Sequence, residues 1–210
     1  MEYVDLLVNR YPSLIVCRED ILNAFNILKD SFLHKKKLLI AGNGGSAADA
    51  EHIVGELMKG FKKKRKISEI DSTKLKMIEK DMGTELSLNL QGALPAIALD
   101  GHSALSTAYL NDCSPLLCFA QQVYGYGNEG DVLLAISTSG NSSNILYAAV
   151  TAKAKGMKII GLTGERNNEL SKYADVCIHA PESETYKVQE LHLPIYHCLC
   201  LMLEEEFFSE

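Results

Sequence analysis

Leu38-Leu39-Ile40-Ala41-Gly42-Asn43-Gly44-Gly45-Ser46-Ala47 is the stretch whose reading decides the fold. Three lysines precede it, so the apolar run predicts a strand passing from the surface into a core. Ala47 to Leu57 contains good helix formers and no proline, which predicts a helix. A strand, a glycine-rich turn and a helix N-terminus are the parts from which an α/β protein builds an anion site. Glycine lets the backbone approach a ligand, and unpaired N–H groups at the helix start point at it. The same turn also serves as a plain connection. Its spacing is neither GxGxxG nor GxxxxGK[ST], which speaks against a dinucleotide or P-loop triphosphate, and so against a nucleotide cofactor.

A second segment repeats the design. Asp131 to Ile136 is apolar after its first residue, and Ser137-Thr138-Ser139-Gly140-Asn141-Ser142 follows, with a helical stretch from Asn144 to Lys155. Hydroxyls and amides at the C-terminal end of a strand suit a phosphate monoester, although Ser, Thr and Asn also serve as ordinary helix caps. Two such loops in one chain favour a phosphorylated small molecule held by Asn43, Gly44, Gly45, Ser46, Ser137, Thr138, Ser139 and Ser142.

Around these loops the chain alternates between strand and helix patterns. Strands are predicted at 37–41, 95–99, 131–136, 157–162 and 175–179. Helices are predicted at about 2–10, 18–34 and 186–207, with further helical patterns between the strands. Such alternation predicts an α/β fold, a three-layer α-β-α sandwich around a five-stranded parallel sheet with ligands beyond the strands' C-terminal ends. A single domain, 1–210, accounts for the length, with residues 1–36 as an N-terminal helical segment.

Composition narrows the partners. A net charge of −6, from 21 basic and 27 acidic residues, offers no general polyanion surface and argues against nucleic acid. No signal peptide or 18-residue apolar run is present, so membrane spanning and secretion are not expected. Six cysteines show no metal-finger spacing and read as free thiols, most of them buried, in a reducing, cytoplasmic compartment.

His52 and Glu56 are four residues apart and share one helix face, whether as a solvated pair or as joint ligands of a substrate or ion. Glu56 falls ~15 Å along the helix from its start. That is too far for contact with a phosphate at the turn, but suited to the far end of an extended sugar phosphate. Gln189 and His197 lie on the last helix, separated by ~12 Å of rise. Pro194 between them should kink that helix and bare the carbonyl of Glu190. Taken alone, His197 reads equally as a satisfied core histidine, and His192 as a packing residue.

On these residues the chain resembles the sugar isomerase (SIS) domain and, within it, phosphoheptose isomerases. The matching segments are 41–49 with His52 and Glu56, Asn111-Asp112, 129–142, 156–164, and 189–192 with His197. The resemblance implies isomerisation of sedoheptulose 7-phosphate to D-glycero-D-manno-heptose 7-phosphate through an enediolate. It implies Glu56 as base and His197 as acid, with Asp112 and Gln189 holding sugar hydroxyls. A zinc ion among His52, Glu56, Gln189 and His197 is implied as well, as is a homotetramer. Two alternatives stand beside it: isomerisation of another ketose or aldose phosphate, and a non-catalytic SIS protein that binds a replication initiator. The second relative lacks counterparts of Glu56 and His197.

The chain departs from the family pattern in two places. Many relatives carry an arginine four residues after the catalytic Glu, where this chain has Gly60. Residues 62–94 form an insertion that opens with Lys62-Lys63-Lys64-Arg65-Lys66. Such a run is a solvated face or, with Lys59, a replacement for the missing cation.

Overall fold

The computed structural model describes residues 2–165 and 167–208. Two N-terminal helices, α1 (Glu2–Arg10) and α2 (Arg18–Leu33), are joined by a 3₁₀ turn at Pro12–Cys17. Strands β1 (Leu38–Ala41), β2 (Ala96–Ala98), β3 (Val132–Ile136), β4 (Lys158–Gly164) and β5 (Val176–Ala180) follow in chain order. Between β1 and β2 lie α3 (Gly45–Met58), α4 (Glu69–Ile78) and α5 (Lys80–Asn89). Helices α6 (Ser103–Asp112) and α7 (Cys118–Tyr126) precede β3, and α8 (Ser143–Ala154) follows it. The chain ends in α9 (Thr185–Phe208).

All five strands are parallel, in the order β2-β1-β3-β4-β5. Their side chains alternate between two cores. Leu38, Ile40, Leu134 and Ile160 pack with residues of α1, α2, α3 and α9 on one face. Leu39, Ala41, Leu133 and Ile159 pack with α7 and α8 on the other. A sheet covered on both faces needs apolar residues at every strand position, which is why the strands read as unbroken apolar runs in the sequence. The three-layer expectation holds, and the five expected strands lie within two residues of those observed.

The last helix runs from Thr185 to Phe208 without interruption, with Pro194 inside it, so the proline does not end it. All six cysteines are free; Cys17, Cys118, Cys198 and Cys200 are buried, while Cys113 is exposed. No helix among the described residues is long and apolar enough to cross a membrane.

The insertion forms a helical hairpin. Ser68 caps α4 by accepting the Asp71 amide at 3.1 Å. The hairpin helices approach closely at Gly83, where an added Cβ would stand 2.3 Å from the Leu75 carbonyl oxygen. A bridge between Lys66 and Gln91 closes the base. The basic run that opens the segment is not uniformly solvated, because Arg65 is 2% exposed. Its Nε donates to Glu204 Oε1 at 2.9 Å, and its terminal nitrogens donate to the carbonyls of Leu57 and Glu56 at 2.7 and 2.8 Å. Arg65 therefore satisfies the open C-terminal end of α3. Burial pushes the Glu204 carboxyl up, but the amides of Lys62 and Phe61 and the Arg65 guanidinium outweigh it and hold the group below the usual range. This pair pins the 61–65 turn to α9, so Arg65 is a structural residue and not the missing substrate cation.

Arg65→Met should then cost ~3–5 kcal/mol, since it strands a buried carboxylate and two helix-end carbonyls. Lys64→Gln, at an exposed neighbour, should cost under ~0.5 kcal/mol. Urea denaturation of both variants measures the contrast.

Candidate active site

The two glycine- and serine-rich loops lie after β1 and β3, which are neighbours in the sheet. From β1 the chain moves outward to β2, then returns to β3 on the other side, so the loops flank the switch point where α/β sheets bind ligands. Gly44 is the N-cap of α3 at φ +56°, a conformation costly for other residues. The helix begins at Gly45, two residues earlier than the sequence suggests, which brings Gly45 and Ser46 into its first turn. Ser142 is the N-cap of α8, yet its side chain makes no capping bond. Its hydroxyl lies 3.1 Å from that of Ser137 instead. No side chain caps α3 or α8, but the Ser46 and Ala47 amides donate to the Asn43 and Gly44 carbonyls at 3.0 Å each, so the amides left for a ligand are those of Gly45 on α3 and of Ser143 and Asn144 on α8.

The loops are tied to each other. Asn43 donates to Asn144 Oδ1 at 3.0 Å, and Asn144 donates to Asn43 Oδ1 at 2.8 Å. Asn43 thus sets the gap between the loops. Ser139 Oγ accepts the Asn141 amide at 3.2 Å, and the Thr138 carbonyl accepts the Gly164 amide at 3.0 Å. Ser46 and Ser137 are buried, and Ser139 is exposed.

Further along α3, His52, Glu56 and His197 converge. His52 Nε2 is 3.3 Å from Glu56 Oε1 and 3.5 Å from His197 Nε2. Glu56 is largely buried, its Oε2 has no hydrogen-bond partner, and Lys59 Nζ is 3.6 Å from that oxygen. Burial and then His52 push the His197 pKa below the ordinary histidine range, against an opposing pull from Glu56. His197 is therefore mainly neutral near pH 7. Phe61 packs against its ring at 5.4 Å between centroids.

Gln189 and Asp112 stand apart from this group. Gln189 lies over the start of α3, where a Cβ on Gly45 would be 2.6 Å from its Nε2. It accompanies the glycine-rich loop, eight residues before His197 on the same helix. Asp112 is exposed at the end of α6, and Asn111 donates to it at 2.9 Å. His192 is fully buried, with Nε2 3.2 Å from the Thr163 carbonyl oxygen, and burial lowers its pKa to about 4. That is the packing role expected of it. Sequence reasoning missed Asn144, Asp49 and Tyr196, because their partners lie more than a hundred residues away in the chain.

The donor chemistry suits a metal in part. Donors on a tetrahedral zinc with ~2.0–2.1 Å bonds stand ~3.3 Å apart, close to both spacings at His52. The unpartnered Glu56 Oε2 is the kind of atom a cation would satisfy. Among the described residues, however, no three His, Cys, Asp or Glu side chains already enclose a common centre. Gln189 would have to turn away from Gly45 to join them.

The SIS domain family model matches residues 117–202. A phosphoheptose isomerase of Nitratiruptor sp. is 37% identical over 203 residues, covering 97% of this chain and 89% of that protein. The chain belongs to the phosphoheptose isomerase family. The phosphoheptose isomerase structure from Francisella tularensis aligns at a TM-score of 0.73 and 30% identity, over 98% of this chain and 100% of that one. Its counterpart from Neisseria gonorrhoeae aligns at 0.72 and 27%, over 96% and 98%.

For a phosphoheptose isomerase family member, the glycine at position 60 now has a cause. A Cβ there would stand 2.2 Å from the Lys63 carbonyl oxygen and 2.9 Å from Gln91 Oε1. Gln91, at the base of the insertion hairpin, also accepts the Gly60 amide at 2.7 Å. Restoring the arginine common among relatives, as Gly60→Arg, should therefore destabilise the protein by ~1–3 kcal/mol. A thermal-melt comparison with Gly55→Ala, whose Cβ meets open space, checks this. Equal melting temperatures would remove the steric account.

Proposed function

We propose that this phosphosugar isomerase converts sedoheptulose 7-phosphate to D-glycero-D-manno-heptose 7-phosphate. The observation that carries the reading is the layout of α3. Its N-terminus, which no side chain caps, lies beside the serine-rich loop after β3, and a largely buried carboxylate with a free oxygen meets two histidines ~15 Å further along the helix. A substrate with phosphate at one end and a carbonyl at the other spans such a site.

In this scheme the amides at the starts of α3 and α8 bind the phosphate, with Ser46, Ser137, Thr138, Ser139 and Ser142. Glu56 removes the proton from the carbon beside the carbonyl through Oε2 and returns it to the neighbouring carbon. That oxygen has no hydrogen-bond partner to give up before it takes the proton. His197 donates a hydrogen bond to the carbonyl oxygen as a neutral imidazole, whose N–H matches an enediolate better in acidity than an imidazolium would. Gln189 and Asp112 hold sugar hydroxyls, Asp112 through a rearrangement or from a second copy of the chain in a homotetramer. Lys59 is the cation next to Glu56, in the region where relatives carry arginine.

Zinc forms part of the proposal, held by His52, Glu56 and His197 with Gln189 as fourth donor. When bound, the ion supplies Lewis-acid polarisation of substrate oxygens in place of the hydrogen bond from His197 Nε2. Gly60 and the insertion favour one second reading, in which the same chemistry acts on another ketose phosphate.

Purified protein incubated with a panel of ketose phosphates and followed by NMR should form the heptose from sedoheptulose 7-phosphate. Conversion of a different sugar only would transfer the assignment to the second reading. Glu56→Gln should lower turnover by at least ~100-fold while the fold is retained. Near-normal turnover would sink Glu56 as the base.

Metal analysis of fresh protein should approach one zinc per chain, and His52→Ala should lower zinc content and activity together. Full activity of protein shown to be metal-free after chelation would end the zinc assignment and leave proton transfer standing.

A further inference from the structure

Tyr196 is 2% exposed, yet its hydroxyl reaches two polar groups on the facing helix. It donates to Asp49 Oδ1 at 3.2 Å and lies 3.0 Å from His52 Nδ1. Asp49 and His52 are three residues apart on α3, so one phenol oxygen bridges two successive positions of one face. The rings of Tyr196, His52 and His197 also pack edge to face, at centroid distances of 5.0 to 5.5 Å.

A phenol has one proton, and the bonding around it decides where that proton goes. Asp49 Oδ2 is buried without a partner. If the phenol donated to His52, both oxygens of Asp49 would be left unsatisfied, the costlier arrangement for a carboxylate. Donation to Asp49 turns the phenol oxygen into an acceptor, and His52 must then present Nδ1–H to it. The lone pair of His52 is thereby placed on Nε2, the atom 3.3 Å from Glu56 and 3.5 Å from His197. In the neutral ring the opposite arrangement needs either an unsatisfied Asp49 or a protonated one that donates to Tyr196, which then donates to Nδ1 and leaves the proton of His52 on Nε2. An imidazolium would carry both protons, and finding one in the wild type at neutral pH would also count against the proposal.

We propose that Asp49 and Tyr196 are positioning residues that hold His52 in its Nδ1–H form and so leave the lone pair on Nε2, the ring nitrogen near Glu56 and His197, where a shared cation or proton would use it. The functional meaning of this rests on the reading of that centre given above, whereas the proton placement does not. A ligating histidine is ordinarily oriented through its other nitrogen in this way, and here a phenol backed by a carboxylate does it.

Two-bond ¹H–¹⁵N correlation spectra of metal-free, histidine-labelled protein read the tautomer directly, without substrate or zinc. His52 should show a protonated Nδ1 and a bare Nε2. Tyr196→Phe should keep the fold and leave a mixture of tautomers. Asp49→Leu frees the phenol to donate and should invert the preference toward Nε2–H, whereas Asp49→Asn, which keeps an accepting oxygen, should restore the wild-type form. A purely structural role would lower the melting temperature without moving the tautomer. Zinc affinity, measured by competition with a chromophoric chelator, should fall ~10–100-fold in Tyr196→Phe. An Nε2–H tautomer in the wild type, or an unchanged tautomer in both Tyr196→Phe and Asp49→Leu, overturns the proposal. A wild-type protein with the expected tautomer but no zinc or isomerase activity would instead overturn the functional reading of the centre and leave the relay in place.

Discussion

The register between β1 and β3 is the constraint on which the site depends. Leu38 pairs with Val132 and Ala41 with Ala135, so the two strands advance together and release their loops side by side. A one-residue slip of β1 against β3 would move Leu39 from its own core into the opposite one, which is already packed. With the register fixed, Asn43 and Asn144 meet as a reciprocal amide pair. The starts of α3 and α8 are thereby brought together, with no side-chain cap on either.

From that fixed end, α3 acts as a ruler. It runs outward for three to four turns and delivers His52 and Glu56 where α9 crosses it. The far end of the ruler is itself held. Arg65 closes the last carbonyls of α3, and Glu204 draws the following turn onto α9. One ion pair thus sets both the direction of α3 and the placing of Phe61 against His197. The insertion enters through the same turn. Its base residue Gln91 occupies the space beside position 60, which explains why a glycine stands there.

Burial tunes the groups at the crossing. It lowers the pKa of His197 and raises that of Asp49, while Tyr196 is held well above the ordinary phenol range, first by burial and then by Asp49. A neutral histidine and an un-ionised phenol beside a carboxylate with one free oxygen make a centre that can accept a proton or a cation. Exposed groups of the same types would mostly bond to water instead.

The sequence by itself determined the layers of the fold. Doubly buried parallel strands must be apolar throughout, and the glycine and serine runs after β1 and β3 advertise the turns that follow them. It also placed His52 and Glu56 together, since four residues on a helix share a face whatever surrounds them. The tertiary structure decided everything that depends on partners distant in the chain. Arg65 reads as one charge among five in a basic run, and only the approach of Glu204 makes it a core residue. Tyr196 reads as one more apolar position on a helix until α9 crosses α3 and its hydroxyl meets Asp49 and His52. Gln189 and His197 share a helix, but its rise sends one to the glycine-rich loop before α3 and the other toward His52 and Glu56. Local periodicity carries the direction in which a side chain leaves its own element. The group it meets is set by how the elements pack, and that information is spread over the whole chain.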